Sequence, residues 1–186
     1  MSTVVGVDPS LTSAGIVAIR DGDPVMITSL GHPGRDGASW VDRARRVRSQ
    51  GRAVARIVIA REPDLVVIEG PLLHGPNTGS AFDRYALFLC GLVDQLDVAR
   101  LPIAVVHNQT RATWATGKGE SKSKRDVFAA IKAEWPDWVT RHLTNDDRAD
   151  ALVLAAMGAV HLGDTLPIVV PDWRLNNLDA VAWPRW

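Results

Sequence analysis

The sequence predicts a mixed α/β domain, a five-stranded sheet flanked by helices, on three observations. The first thirty residues alternate β-branched runs with turn signals. Strand-length and helix-length apolar patterns then alternate as far as Val106. A helical segment, Asp146 to Leu162, follows that is apolar on nearly every side. Three meandering strands followed by strand–helix alternation place a mixed sheet with helices on its faces.

Thr3 to Asp8, Ala14 to Arg20 and Pro24 to Leu30 read as strands, with Asp21-Gly22-Asp23 as the tight turn between the second and third. From about Ser39 to Ala60 the period becomes helical. Ala44, Val47, Gly51, Val54 and Val58 form one stripe, and Arg45, Arg48, Arg52 and Arg56 form another. Leu65 to Glu69 is a buried-type strand, Ser80 to Val98 a helix and Ile103 to Val106 a fifth strand. Asn108 to Lys124 is polar and contains glycine, which predicts a loop over part of it. Ser123 to Glu134 reads as a helix stopped by Pro136, and Pro167 to Trp186, with three tryptophans and three prolines, as an irregular extension. This order matches the ribonuclease H-like architecture.

A chain of 186 residues suffices for one domain with a real core, and no repeat or composition break suggests two. The expected division is a domain over 1–165 and an extension over 166–186. Cys90 is the only cysteine, which excludes an intrachain disulfide and fits a reducing cytoplasm. No apolar run approaches the roughly 20 residues of a membrane span, and no signal-peptide pattern opens the chain, so a soluble, cytoplasmic protein is expected. The formal net charge is zero, but it is unevenly spread. Arg35 to Arg61 holds eight arginines against two aspartates, and Arg111 to Lys132 six basic against two acidic residues. Basic surfaces that grip phosphates around an acidic, metal-holding centre can average to neutrality in this way.

Asp8 carries the most information. It ends a β-branched run immediately before Pro9-Ser10. An Asp there commonly just begins a turn. Glu69 ends a run of aliphatic residues before Gly70-Pro71, where a carboxylate must be solvated or paired with a cation. Asp146, Asp147 and Asp150 open the last apolar helix. Thr144 as a cap, with Asp146 and Asp147 complementing the helix dipole, accounts for two of these acids but leaves Asp150 unexplained. Spacings of three and four both keep a shared face, so Asp146 and Asp147 stand level as partners of Asp150. Strand ends and a helix start that deliver carboxylates together form a common way to hold hard divalent cations.

In these residues the chain resembles the RuvC-type Holliday junction resolvases. Gly6-Val7-Asp8-Pro9-Ser10-Leu11-Thr12-Ser13-Ala14-Gly15 is similar to their opening motif, Val67-Ile68-Glu69 to the second and Asp147-Arg148-Ala149-Asp150-Ala151 to the third. Thr116-Gly117-Lys118-Gly119, with Lys122, Lys124 and Val127, is similar to their Gly-containing basic segment. The matches run in order from about residue 3 to 162. Ser10 stands where Gly is usual and Ala14 where Thr is usual. Leu72, with His74 beyond it, stands where the family often carries a junction-wedging aromatic. These departures look like those of a divergent, bacteriophage-type member.

The resemblance implies a metal-dependent, structure-selective endodeoxyribonuclease that resolves four-way junctions or related branched DNA, such as forks or flaps, as a homodimer. It implies Asp8, Glu69, Asp147 and Asp150 as catalytic ligands of two Mg²⁺ ions, with Mn²⁺ as a substitute. It favours Asp147 over Asp146, which stays in reserve. It also implies Lys118, Lys122, Lys124, Arg125, Leu72 and His74 as the DNA-facing set. Two other readings compete. An actin-like ATPase would need a Gly-Thr phosphate turn and a duplicated domain, and this chain has neither. A non-catalytic branched-DNA binder on a nuclease fold would leave clustered acids to repel DNA. The histidines lack metal-ligand spacing, which argues against zinc. His107, Trp135 and Trp138 read as packing or surface residues, and the arginine stripe as a solvated face.

Overall fold

The computed structural model describes residues 1–71, 78–117 and 124–185; of residues 78–80 and 124 only the backbone is described. The strands are β1 (Thr3–Asp8), β2 (Ala14–Arg20), β3 (Asp23–Leu30), β4 (Leu65–Glu69) and β5 (Ile103–Val106), in the order β3-β2-β1-β4-β5. The three meander strands pair antiparallel, while β4 and β5 add parallel to β1. Parallel pairing demands a crossover. The first runs through α1 (Trp40–Ile59), and the second through α2 (Thr78–Ala86), a π-helical stretch (Leu87–Val93) and α3 (Asp94–Val98). After β5 come α4 (Asn108–Thr116), α5 (Lys124–Glu134), α6 (Asp137–Thr140), α7 (Asp146–His161) and α8 (Asp172–Asn177).

Side chains alternate across a strand, so the sheet sorts its residues into two cores. Val5, Val7, Ile16, Ala18, Val66 and Ile68 pack with Val47, Val54, Ala55 and Val58 of α1 and with Leu87, Leu92 and Leu96. Val4, Val17, Ile19, Leu65 and Val67 pack instead with α7, α4, α5 and the C-terminal stretch. The apolar stripe expected on α1 is the buried one apart from Ala44, which is exposed, and Arg45, Arg48, Arg52 and Arg56 face solvent. Ser39 caps α1 by accepting from the Asp42 amide.

α7 is buried from Ala149 through Ala159, which explains its apolarity all round. It crosses β1 and β2 almost in contact with their backbones. A Cβ on Gly6 would stand 2.2 Å from the Ala151 carbonyl oxygen, and one on Gly15 only 1.9 Å from that of Asp147. Two side chains are therefore missing from the sheet where the helix must come closest. Burial of Leu152, Leu154 and Met157, each worth roughly 1.5–3 kcal/mol, holds the helix there.

Two segments that the sequence left least regular contain helices. Residues 108–116 are helical although polar, because Arg111, Trp114 and Ala115 turn inward together, and Gly117 at φ 71° supplies the left-handed cap. The stretch after residue 165 is also not wholly irregular. It contains α8 and places Leu166, Leu178 and Val181 in the core beside α7. Arg174 of α8, 2% exposed, donates from Nε to the Trp114 carbonyl (2.9 Å) and from Nη2 to that of Ala115 (3.4 Å), and pairs with Glu134. It thus satisfies carbonyls at the C-terminal end of α4 that the helix itself cannot. No helix among the described residues is long and apolar enough to cross a membrane.

Candidate active site

β1 and β4 lie side by side in parallel, with Val7 opposite Ile68. The next residue on each strand is an acid, so Asp8 and Glu69 emerge together at the carboxyl ends of the two strands. The period of two decides their face. Val4, Gly6 and Asp8 alternate with Val5 and Val7, and Leu65, Val67 and Glu69 with Val66 and Ile68, which puts both acids on the side that α7 covers. α7 begins at this same end, where its first turn passes over Gly15, the residue paired with Asp8.

The start of α7 is held by its own neighbours. Asn145, not Thr144, is the N-cap, and its side-chain oxygen accepts from the Arg148 amide (3.0 Å). The Asn145 amide donates to Ser13 Oγ (3.0 Å), and Arg148 Nε donates to Ser29 Oγ (3.0 Å). The loop that follows Asp8 is equally fixed. Ser10 Oγ accepts from the Thr12 and Ser13 amides, both at 3.2 Å, and Gln50 of α1 donates to the Ser10 and Leu30 carbonyls. Ser10 thus builds the turn with its hydroxyl.

Glu69, Asp147 and Asp150 all act on Asp8. Burial pushes the Asp8 carboxyl well above the usual carboxylate range, and the charges of Glu69, Asp150 and Asp147 push it further; Arg111 opposes them. Asp146 is not among the charges that shift Asp8. Of the acids singled out in the sequence, Glu69, Asp150 and Asp147 are thus felt at Asp8, and of the adjacent pair it is Asp147. Asp150 is 4% exposed.

Arg111 of α4 was not foreseen. It is 6% exposed and donates from Nε to Glu69 and from Nη1 to Asp150, so its guanidinium spans β4 and α7. Burial lowers its affinity for a proton, but Glu69, Asp150 and Asp8, with the Glu69 hydrogen bond, more than offset this and raise it. One sequence signal was available: Arg111, Trp114 and Ala115 stand at i, i+3 and i+4, one face of a helix.

The donor set fits a hard divalent cation. It consists of carboxylate oxygens only, the ligands such ions take. Among the described residues no three acidic, histidine or cysteine side chains close into a ligand cluster, and Arg111 lies between two of the carboxylates that would have to do so.

Arg125 is exposed in the first turn of α5. Leu72, His74, Lys118 and Lys122 lie outside the described residues, as does the side chain of Lys124. His107 is exposed at the N-cap of α4, Trp135 is buried and Trp138 half exposed.

The fold has solved relatives. T. thermophilus RuvC in complex with Holliday junction substrate matches with a TM-score of 0.64 and 17% identity, over 87% of this chain and 95% of that one. A second Thermus thermophilus RuvC structure matches with a TM-score of 0.61 and 16% identity, over 87% and 96%. No protein-family model and no curated protein matches the sequence. The chain thus has the RuvC fold, the ribonuclease H-like mixed sheet read from its element order.

Proposed function

We propose that this chain is a divalent-metal-dependent, structure-selective endonuclease that cuts four-way DNA junctions or closely related branched DNA. The observation that carries the reading is the convergence of Asp8, Glu69, Asp147 and Asp150 at the carboxyl end of β1 and β4, under the first turn of α7. The structural likeness to a RuvC seen with a Holliday junction substrate supports it. Mg²⁺ or Mn²⁺ held by these four residues would supply Lewis-acid activation of water and of the scissile phosphate.

The protein's own part is arrangement. Two carboxylates ride on buried interior strands and two on a helix pinned by its core, so the charges are positioned before substrate arrives. Lys118, Lys122, Lys124 and Arg125 would grip phosphates beside it, with Leu72 and His74 meeting the junction. A symmetric junction needs two nicks, so the working form in this reading is a homodimer.

The test is cleavage of a synthetic four-way junction in Mg²⁺ and in Mn²⁺, beside fork, flap and linear duplex. We expect metal-dependent paired nicks in opposing strands of the junction and little cutting of duplex. Asp8→Asn, Glu69→Gln, Asp147→Asn and Asp150→Asn should each lose several orders of magnitude in rate, whereas Asp146→Asn should stay near wild type. Near-normal cleavage by any two of the first four would sink the proposed site. Single, uncoupled nicks would remove the dimer.

A further inference from the structure

Among the described residues Arg111 is a cation set inside the acidic centre, and it touches two acids on two different elements. A bidentate fork onto one carboxylate would serve folding alone. Here one nitrogen meets Glu69 at the end of β4 and another meets Asp150 in the second turn of α7. We propose that Arg111 is a resident counter-cation of this centre, and that a divalent ion can take its full share of Glu69 and Asp150 only after at least one of these ion pairs is given up. The inference rests on the metal-site reading above.

Three observations support it. Four carboxylates share the centre with the Arg111 guanidinium, which pairs with two of them and so relieves part of their mutual repulsion. Arg111 reaches each acid through a single nitrogen, Nε to Glu69 and Nη1 to Asp150, so an ion that competes for either group has one hydrogen bond of Arg111 to displace there. The backbone that carries Arg111 is also anchored independently of these pairs. Trp114 and Ala115 are buried one turn on, and their carbonyls are held by Arg174. A released guanidinium would therefore move on its own long side chain while α4 stays in place.

The consequence is a trade. Without metal, Arg111 keeps two buried acids paired, and an unpaired buried charge is strongly destabilising. With metal, the same pairing weakens the ion's hold relative to what the carboxylates alone would give. Arg111→Met keeps the apolar stem and deletes the charge. The experiment is calorimetric Mn²⁺ titration of the DNA-free protein, with melting measured in EDTA and in Mn²⁺. In EDTA the variant should melt below wild type. Mn²⁺ should raise its Tm by more than it raises that of wild type, and its Mn²⁺ Kd should be at least about tenfold tighter. Arg111→Lys should fall between the two.

An Arg111→Met affinity equal to or weaker than that of wild type overturns the inference, since Arg111 would then assist the ion. Should Arg111→Met not fold in EDTA, its refolding as a function of Mn²⁺ concentration gives the comparison, and Arg111→Lys carries the affinity measurement. No Mn²⁺ binding by wild type or either variant would instead remove the metal reading itself.

Discussion

Asp8 shows how a candidate site residue opposes the fold that presents it. Its carboxyl is pushed up by burial first and by Glu69, Asp150 and Asp147 next. A folded-state pKa above the unfolded value means that the native protein binds a proton at Asp8 which the unfolded chain has released. Its contribution is therefore most favourable below the unfolded pKa of about 4. It is lost as pH rises from there through the raised folded pKa, and above that the metal-free protein bears the whole cost. Asp8→Asn keeps the volume and removes the titration. In EDTA the variant should melt higher than wild type at pH 8, and its Tm should fall less between pH 4 and pH 8. An equal or lower Tm at pH 8 would show that Asp8 is not strained by its neighbours. Raised stability alongside lost cleavage is the expected mark of a residue kept for function.

Among elements, α7 does most to make the site, and its height above the sheet is set from below. The start of the helix lies over Gly15, where a methyl group would stand 1.9 Å from the Asp147 carbonyl oxygen. Backbone cannot yield as a flexible side chain can, so Gly15→Ala must lift the first turn of α7 or bend β2. Overpacking of this kind costs about 1–3 kcal/mol and sometimes more. The displacement falls on Asp147, and through it on Asp150 one turn later. We therefore expect Gly15→Ala to fold with a lowered Tm and to lose at least about tenfold in cleavage rate, since misplacing a reacting group by an ångström can cost far more than that. Wild-type cleavage in a destabilised Gly15→Ala protein would mean that the site tolerates a shifted helix.

The α1 arginines and the two helices that flank the second basic segment in the chain lie on opposite faces of the sheet. The arginine stripe belongs to α1, on the sheet face away from α7, whereas residues 118–123 join α4 to α5, both packed on the α7 side with the four acids. A zero net charge conceals this division. In the proposed reading the phosphodiester lies on the α7 side, with the four acids. Replacing Lys118, Lys122 and Lys124 with Ala should make the salt dependence of junction binding shallower, by about 1 in log–log slope for each phosphate that is no longer neutralised. The change Arg48→Ala with Arg52→Ala should leave that slope nearly unaltered. The opposite ranking would place DNA on the α1 face.

Much of this was legible in the chain. Local periodicity specified the five strands, α1 and α7, because a strand shows a period of two and a helix one of 3.6 whatever they pack against. The turn chemistry after Asp8 and Glu69 put those acids at strand ends, and Asp150 declared itself by standing acidic in an apolar helix. By contrast, α4 carries its inward face on three residues within a polar stretch, too weak a pattern to outweigh a loop reading. Arg111 meets partners 42 and 39 residues away, and no local signal records a pairing at that distance. The choice between Asp147 and Asp146 likewise depends on the rotation of α7 about its own axis. That rotation is set where the helix meets Gly6 and Gly15 and by the Asn145 and Arg148 bonds to Ser13 and Ser29. Sequence determined which acids stand at the ends of which elements; tertiary packing decided which of them meet, and which cation stands between them, because those depend on contacts between segments far apart in the chain.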